Sequence, residues 1–264
     1  MRLQEMKWTE VKQYLEHNDL ILVPVGATEQ HGTHLPLGTD SYESIGWAET
    51  AAERTGTLVT PPLWFGWSPH HMSYPGTITL SAQTLTSVVY EVCVSLVYHG
   101  FKKVIVVNGH RETNLPPLKI AATRVAHETG ALVAVVDPGY MGGPVGREMR
   151  RTATGGVGHA DELETSMILH LQGQHLVDME EATRRDLQRP RGADVSVEAD
   201  HVYRPLTGPE LSALTEPAGA LGDPSGASAD EGQRYHQALV QSLAEFIEQI
   251  RHQPVDIKAP PVPV

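Results

Sequence analysis

The chain has 264 residues, 40% of them apolar and 20% charged, which is the balance of a folded globular protein and excludes disordered, collagen-like and disulfide-built classes. Its 32 acidic residues against 20 basic ones give a formal net charge of -12, so most of its surface repels nucleic acid and anionic membranes. A single cysteine, Cys93, rules out an internal disulfide and is expected as a buried, inert thiol among Val88, Val89, Val92, Leu96 and Val97.

The N-terminal MRLQEMKWTE carries no apolar stretch of signal-peptide length, and no window approaches a membrane span, so the expected compartment is the cytoplasm. The first strand is expected at Leu20–Val25, followed by a helix from about Asp40 to Arg54 that stops at Gly56. A short run at 57–60 follows, then a helix from Ser81 to His99 ending at Gly100, and a strand at Val104–Val107. Another helix passes through Ala121 and Val125 to Gly130, and Ala131–Val136 reads as a further strand. Apolar β-branched runs alternating with helices predict an α/β fold, with a mostly parallel sheet covered on both faces.

Asp161 with Glu164 has the spacing of a capping box and opens a helix through Leu163, Met167, Ile168 and Leu171. Ser228 with Glu231 does the same for a closing helix through Tyr235, Leu239, Leu243, Phe246 and Ile250. Between them, 187–227 is rich in Pro, Gly and Asp and predicts a long excursion with little regular structure. Residues 1–253 are read as one domain and 254–264 as a Pro-rich tail.

Chemistry-bearing residues gather just past two of the strands. After Val25 comes Gly26-Ala27-Thr28-Glu29-Gln30-His31, continuing through His34 to Asp40; after Val107 comes Asn108-Gly109-His110-Arg111-Glu112-Thr113-Asn114. Ligands of open α/β sheets bind at that strand edge. Glu29 and His31 share a face if their segment is extended, and Asp40 offers a carboxylate able to bridge two cations. Imidazole with carboxylate is the donor set of Zn²⁺, Mn²⁺ or Fe²⁺, and two such ions about 3.5–4 Å apart support hydrolysis. The competing reading makes these residues loop polars and helix caps, with Asp40 and Glu43 as an N-cap box.

VGATEQHGTHLPLGTD followed by a strand and NGHRETN, with PGTITLSAQTL at 75–85 and GHADELETSMIL at 158–169, resembles the creatininase (creatinine amidohydrolase) family over most of residues 20–171. The resemblance implies a three-layer α/β/α fold, a homo-oligomer (often a hexamer) and two divalent ions per chain, Zn²⁺ or Mn²⁺. By motif position, Glu29, Asp40 and His110 would hold one ion, and His31, Asp40 and Glu112 the other. His159 matches a histidine used for proton transfer, although it also fits a helix-start histidine. Glu164 matches a carboxylate near it, and His34 fits a residue that orients a ligand; with Arg111 and Arg147 these are the candidates for touching substrate or supporting the ligands, and Glu112 is a catalytic candidate beside His159. The implied reaction is hydrolysis of a C–N bond in a cyclic amide, formamide or related small molecule. Some relatives trim a peptide or open a carbocyclic ketone, and a metal-dependent sugar isomerase or lyase remains the alternative from another class.

Creatininase itself is similar here but carries tryptophans between its last central strand and the GH segment, where this chain has Tyr140-Met141-Gly142-Gly143-Pro144-Val145-Gly146-Arg147. Creatinine is therefore not the expected substrate. The glycines of 140–157 would let that segment move as a lid, and Arg147, Arg150 or Arg151 could meet an anionic substrate group or pair with surface acids.

Overall fold

The computed structural model describes residues 1–111, 113–152, 158–183, 205–216 and 218–258. In chain order the elements are α1 (Trp8–Leu15), β1 (Leu20–Val25), α2 (Thr39–Thr55), β2 (Leu58–Val59), α3 (Ala82–Tyr98), β3 (Lys103–Asn108), α4 (Leu115–Thr129) and β4 (Leu132–Val136). They continue with α5 (Pro138–Met141), α6 (Gly143–Met149), α7 (Glu162–Leu171), α8 (Met179–Thr183), α9 (Gly208–Thr215) and α10 (Ala229–Arg251). The four strands form one sheet in the order β2-β1-β3-β4, parallel at every pairing.

Strand alternation divides the core. Leu20 and Leu22 of β1, with Ile105 and Val107 of β3, pack on Trp47, Ala48 and Ala51 of α2, Met167 of α7 and Leu239 and Leu243 of α10. The intervening Ile21, Val23, Val25, Val104 and Val106 face α3 and α4 through Leu85, Val89, Cys93, Leu118 and Val125. Helices thus cover both faces, giving the three-layer α/β/α arrangement that the alternating pattern predicts. Cys93 is fully buried, and burial pushes its thiol up to about 12.

Gly56 and Gly130 end α2 and α4 in the left-handed conformation, as the sequence suggests. The start of α2 differs from expectation. Gly38 is its N-cap and makes no side-chain cap bond, so Asp40 stands inside the first turn and Glu43 is buried instead of closing a capping box. A second difference lies in 187–227, whose described part contains α9, capped by a reciprocal Thr207–Glu210 box. Residues 187–204 and 217 of that excursion lie outside the described residues. Of the tail, Ile257 packs on the α3/α4 core and the Lys258 amide donates to the Thr129 carbonyl at 2.8 Å.

Candidate metal centre

β1 and β3 are neighbours in register, Val25 beside Asn108, so the loops that leave them emerge side by side. Two glycines bring α2 onto that edge. A Cβ on Gly26 would overlap the Ser41 backbone, and one on Gly109 the carbonyl of Asp40. Asn108 fixes the β3 turn: its Oδ1 accepts from the His110 amide at 3.2 Å, and its Nδ2 donates to the His110 carbonyl at 2.8 Å. Asn114 ties three loops, accepting from the Trp67 amide at 2.9 Å and donating to the Gly26 carbonyl at 3.1 Å.

These constraints put Glu29, His31, Asp40 and His110 together, each no more than 5% exposed. His110 spans two carboxylates, with Nε2 3.2 Å from Glu29 Oε2 and Nδ1 3.2 Å from Asp40 Oδ2. His31 Nε2 lies 3.2 Å from Asp40 Oδ1 and 3.9 Å from Glu164 Oε2. Ligand atoms of Glu29, Asp40 and His110 fall within 4.8 Å of one another, as do those of Glu29, His31 and His159. Glu112, which the motif pairs with His31 and Asp40, lies outside the described residues.

Glu29 Oε2, Asp40 Oδ2 and His31 Nε2 are buried and have no hydrogen-bond partner. Sheltered, unsatisfied acceptors and an imidazole nitrogen facing one another are costly unless a cation joins them. A mixed nitrogen and carboxylate set fits Zn²⁺, Mn²⁺ or Fe²⁺. Electrostatics agrees. Burial pulls down His31 and His110, but Asp40 chiefly in one case and Glu29 in the other outweigh it, raising them to about 10 and 9. Burial opposes ionisation of Asp40 too, yet His31 and His110 hold it below the ordinary carboxylate range. The pocket stabilises positive charge among its carboxylates, which is what a divalent ion supplies.

The sequence reading missed His71, on the turn Pro69–His71. Its Nδ1 faces Gln30 Nε2 at 2.9 Å and its Nε2 lies 3.3 Å from Glu29 Oε1. Burial, then the neighbouring imidazoles, keep His71 neutral, so its Nε2–H donates to Glu29 while Nδ1 accepts from Gln30. The adjacent His70-His71 pair in an otherwise aperiodic loop was the available signal. Gln30 was missed because an extended segment would send it to the face opposite Glu29 and His31; 29–31 is not a regular strand, and all three side chains reach the site.

His159 enters from the other side, just ahead of α7. Its Nε2 bonds the Gln30 carbonyl at 2.8 Å, which leaves Nδ1 facing the centre, 3.8 Å from Glu29 Oε1. Burial first, then His31, keep it neutral. Ala160 follows in a left-handed conformation, φ 55°, and its amide donates to Glu164 Oε2 at 2.6 Å. Asp161 caps α7 by accepting from the Leu163 and Glu164 amides, so Glu164 reaches back one residue further than a capping box would take it. Burial pushes Glu164 up to about 7. His34 bonds Thr165 Oγ1 on α7 at 2.9 Å, not a member of the ligand cluster.

The centre opens into a cleft of about 190 Å³, bordered by His70, Arg111, Thr113, Tyr140 and the apolar wall Leu206, Leu211 and Leu221. Arg147, Arg150 and Arg151 are not among its described lining. Of the glycine-bearing segment, 138–149 forms α5 and α6 and 153–157 lie outside the described residues; Arg151 pairs with Glu231 while its amide donates to Glu162 at 3.0 Å.

A family model described as creatininase, creatinine amidohydrolase, matches residues 4–247. A 3-dehydro-scyllo-inosose hydrolase of Thermotoga maritima is 27% identical over 98% of this chain and 86% of its own. A mycofactocin precursor peptide peptidase of Mycolicibacterium smegmatis is 30% identical over 87% of this chain and 84% of its own. A solved creatininase of Zn-Zn type, 24% identical, shares the fold at a TM-score of 0.78 over 96% of this chain and 98% of its own. A manganese creatininase does so at 0.77, with 24% identity, over 96% and 99%.

Proposed function

The chain belongs to the creatininase family of hydrolases, and from that premise we propose that it cleaves a C–N amide-type bond in a small substrate, using two divalent ions, Zn²⁺ or Mn²⁺. The observation that carries the reading is the convergence of Glu29 Oε2, Asp40 Oδ2 and His31 Nε2, buried and without hydrogen-bond partners, at the C-terminal edge of the sheet. Glu29, Asp40 and His110 would hold one ion; His31 and Asp40, with Glu112, would hold the second. Asp40 is then the bridge. When bound, such ions supply Lewis acidity toward the scissile carbonyl and toward water.

The remaining work falls to this chain's own groups. With Nε2–H engaged by the Gln30 carbonyl, His159 keeps Nδ1 free to take a proton during attack and to return it to the departing nitrogen. His71 and Gln30 hold Glu29 Oε1 in place, leaving Oε2 for the cation. Leu206, Leu211 and Leu221 keep one wall dry and suit a substrate with an apolar flank.

A second reading, ring opening of a cyclic ketone by water, is favoured by the inosose hydrolase relative, which aligns with 98% of this chain. The apolar wall argues for the amide, because a polyol offers it nothing to bury. Metal analysis of the purified protein, followed by a screen of lactams, formamides, short peptides and cyclic ketones, tests both. Hydrolysis gives products that together weigh one water more than the substrate, whereas an isomerase or lyase adds none. Failure to retain metal, or cleavage confined to ketones, would overturn the amide reading.

The assembly proposed is a homo-oligomer, a hexamer by family resemblance. Exposed Trp64, Phe65, Met72 and Ile78 support it with apolar surface on the loops beside the cleft, and light scattering would give the mass. Among the described residues, no helix is long and apolar enough to cross a membrane.

A further inference from the structure

Arg111 follows the ligand His110 directly, and its side chain is spare with respect to the centre's own needs. Its Nε and Nη1 are buried and have no hydrogen-bond partner. Among the described residues lining the cleft, it is the one guanidinium or ammonium group. A buried N–H without an acceptor forfeits the hydrogen bond it made with water, and two on one cation double the loss. A guanidinium stays protonated at any ordinary pH, so the charge is present beside the cleft.

The guanidinium is also closely packed. A Cβ on Gly139, at the start of α5, would come 2.6 Å from Arg111 Nε and 3.0 Å from its Cζ. Glycine at 139 leaves room for α5 to lie against the planar group, which places Arg111 between the β3 turn and the segment that follows β4. A cation fixed at the wall of a binding cleft, with unspent donors, is preorganised for an oxyanion.

On the hydrolase reading above, we propose that Arg111 is the anion-recognising residue of the cleft, and that the substrate is a carboxylate-bearing amide whose other portion is apolar. The two oxygens of a carboxylate match a guanidinium's forked donors. The cleft's opposite character, Leu206, Leu211 and Leu221, receives the apolar portion. A volume of about 190 Å³ suits an acylated amino acid or the last residues of a peptide. A neutral polyol would leave both features unused. The overall reaction balances as amide plus water giving a carboxylic acid and an amine, with Arg111 unchanged throughout.

The test is calorimetric binding of N-acetyl-L-leucine and of N-acetyl-L-leucinamide to the metal-loaded protein, for wild type, Arg111→Ala and Arg111→Lys. Wild type should prefer the acid by roughly 10- to 100-fold, the range for a charge-assisted pair. Arg111→Ala should bring the two probes to near parity, and Arg111→Lys should restore part of the preference, because charge returns without the fork. A carboxylate held by the metals alone would keep its preference in Arg111→Ala, and that result overturns the proposal. So does absence of preference, or of any acid binding, in wild type. If Arg111→Ala does not fold, judged by its melting transition, Arg111→Lys and Arg111→Gln carry the comparison. Released amine or acetate is followed beside the calorimetry, so that the heat of any cleavage is separated from the heat of binding. An Arg111-dependent preference in a protein that cleaves no amide would overturn the amide reading and leave the anion site standing.

Discussion

Glu29, Asp40 and His110 are presented by the ends of β1 and β3 and the first turn of α2, whereas His159 and Glu164 reach the same centre from the start of α7. The first group is almost sealed, with closest contacts of 3.2 Å on both sides of His110. The second is looser: His159 Nδ1 stands 3.8 Å from Glu29, Glu164 Oε2 stands 3.9 Å from His31, and the His159 side chain is 15% exposed. The sheet edge, locked by Gly26, Gly109 and Asn108, has the rigidity needed to hold an ion. The α7 side, meeting the cleft, has the access needed to exchange protons with substrate. On the reading proposed above, holding the ions and moving the proton would fall to different parts of the fold.

The harshest way to break that division is Asp40→Asn. Asp40 faces both His31 and His110, and a neutral amide cannot balance two divalent cations as a carboxylate does. We expect loss of at least one metal per chain and of activity, read by elemental analysis beside a turnover assay. Two metals retained with normal turnover would remove Asp40 from the bridging position.

The complementary change is His159→Ala. If α7 supplies a proton carrier and not a ligand, metal content stays at the wild-type level while turnover falls by roughly 10²- to 10⁴-fold, the usual contribution of a general acid or base. A fall in metal content would instead make His159 a ligand, a reading its place beside Glu29 and His31 makes concrete, and the two sides of the centre would no longer differ in kind.

The same division describes what was legible in the sequence. The sheet-edge half could be read because its cause is local: an apolar run ends, and Glu29, His31 or His110 follows within a few residues. The helix bounds were equally local, as Gly56, Gly130, Ser81 and Asp161 terminate or cap the elements around them. The resemblance of VGATEQHGTH and NGHRETN to a known family then joined two segments that periodicity could not. What escaped depends on distant chain: His71 meets Glu29 from a turn 42 residues later, and Gln30 matters because its side-chain amide donates to His71 and its backbone carbonyl accepts from His159. The three arginines of 147–151 stood out in an acidic chain. Charge alone could not reveal that Arg151 is taken by Glu231, nor separate Arg111, which borders the cleft, from Arg147, which is not among its described lining.

A milder probe exploits how α7 is packed. On its far end, His170 Nε2 meets His236 Nδ1 of α10 at 3.2 Å, and His236 Nε2 bonds the Gly46 carbonyl of α2 at 3.2 Å. The carbonyl fixes the tautomer: His236 donates through Nε2, so its Nδ1 must accept, and a proton there would break the relay. Burial chiefly, with His170 and Arg54 adding to it, pushes His236 down to about 4, and burial also lowers His170. Both groups are therefore harder to protonate folded than unfolded, where an imidazole titrates near about 6.5. Above that pH both states are neutral and the pair costs nothing. As pH falls, the unfolded chain takes up protons first, so stability declines from about 6.5 and stops declining from this source below about 4. Denaturant melts of wild type and His236→Asn at several pH values across that window should show a shallower decline in the variant, whose carboxamide does not titrate. Other acid-sensitive groups contribute equally to both proteins and cancel in the difference. Parallel curves would mean that the α7–α10 contact does not feel the imidazole's charge, and that the reactive half of the centre is as firmly seated against acid as the sheet edge opposite.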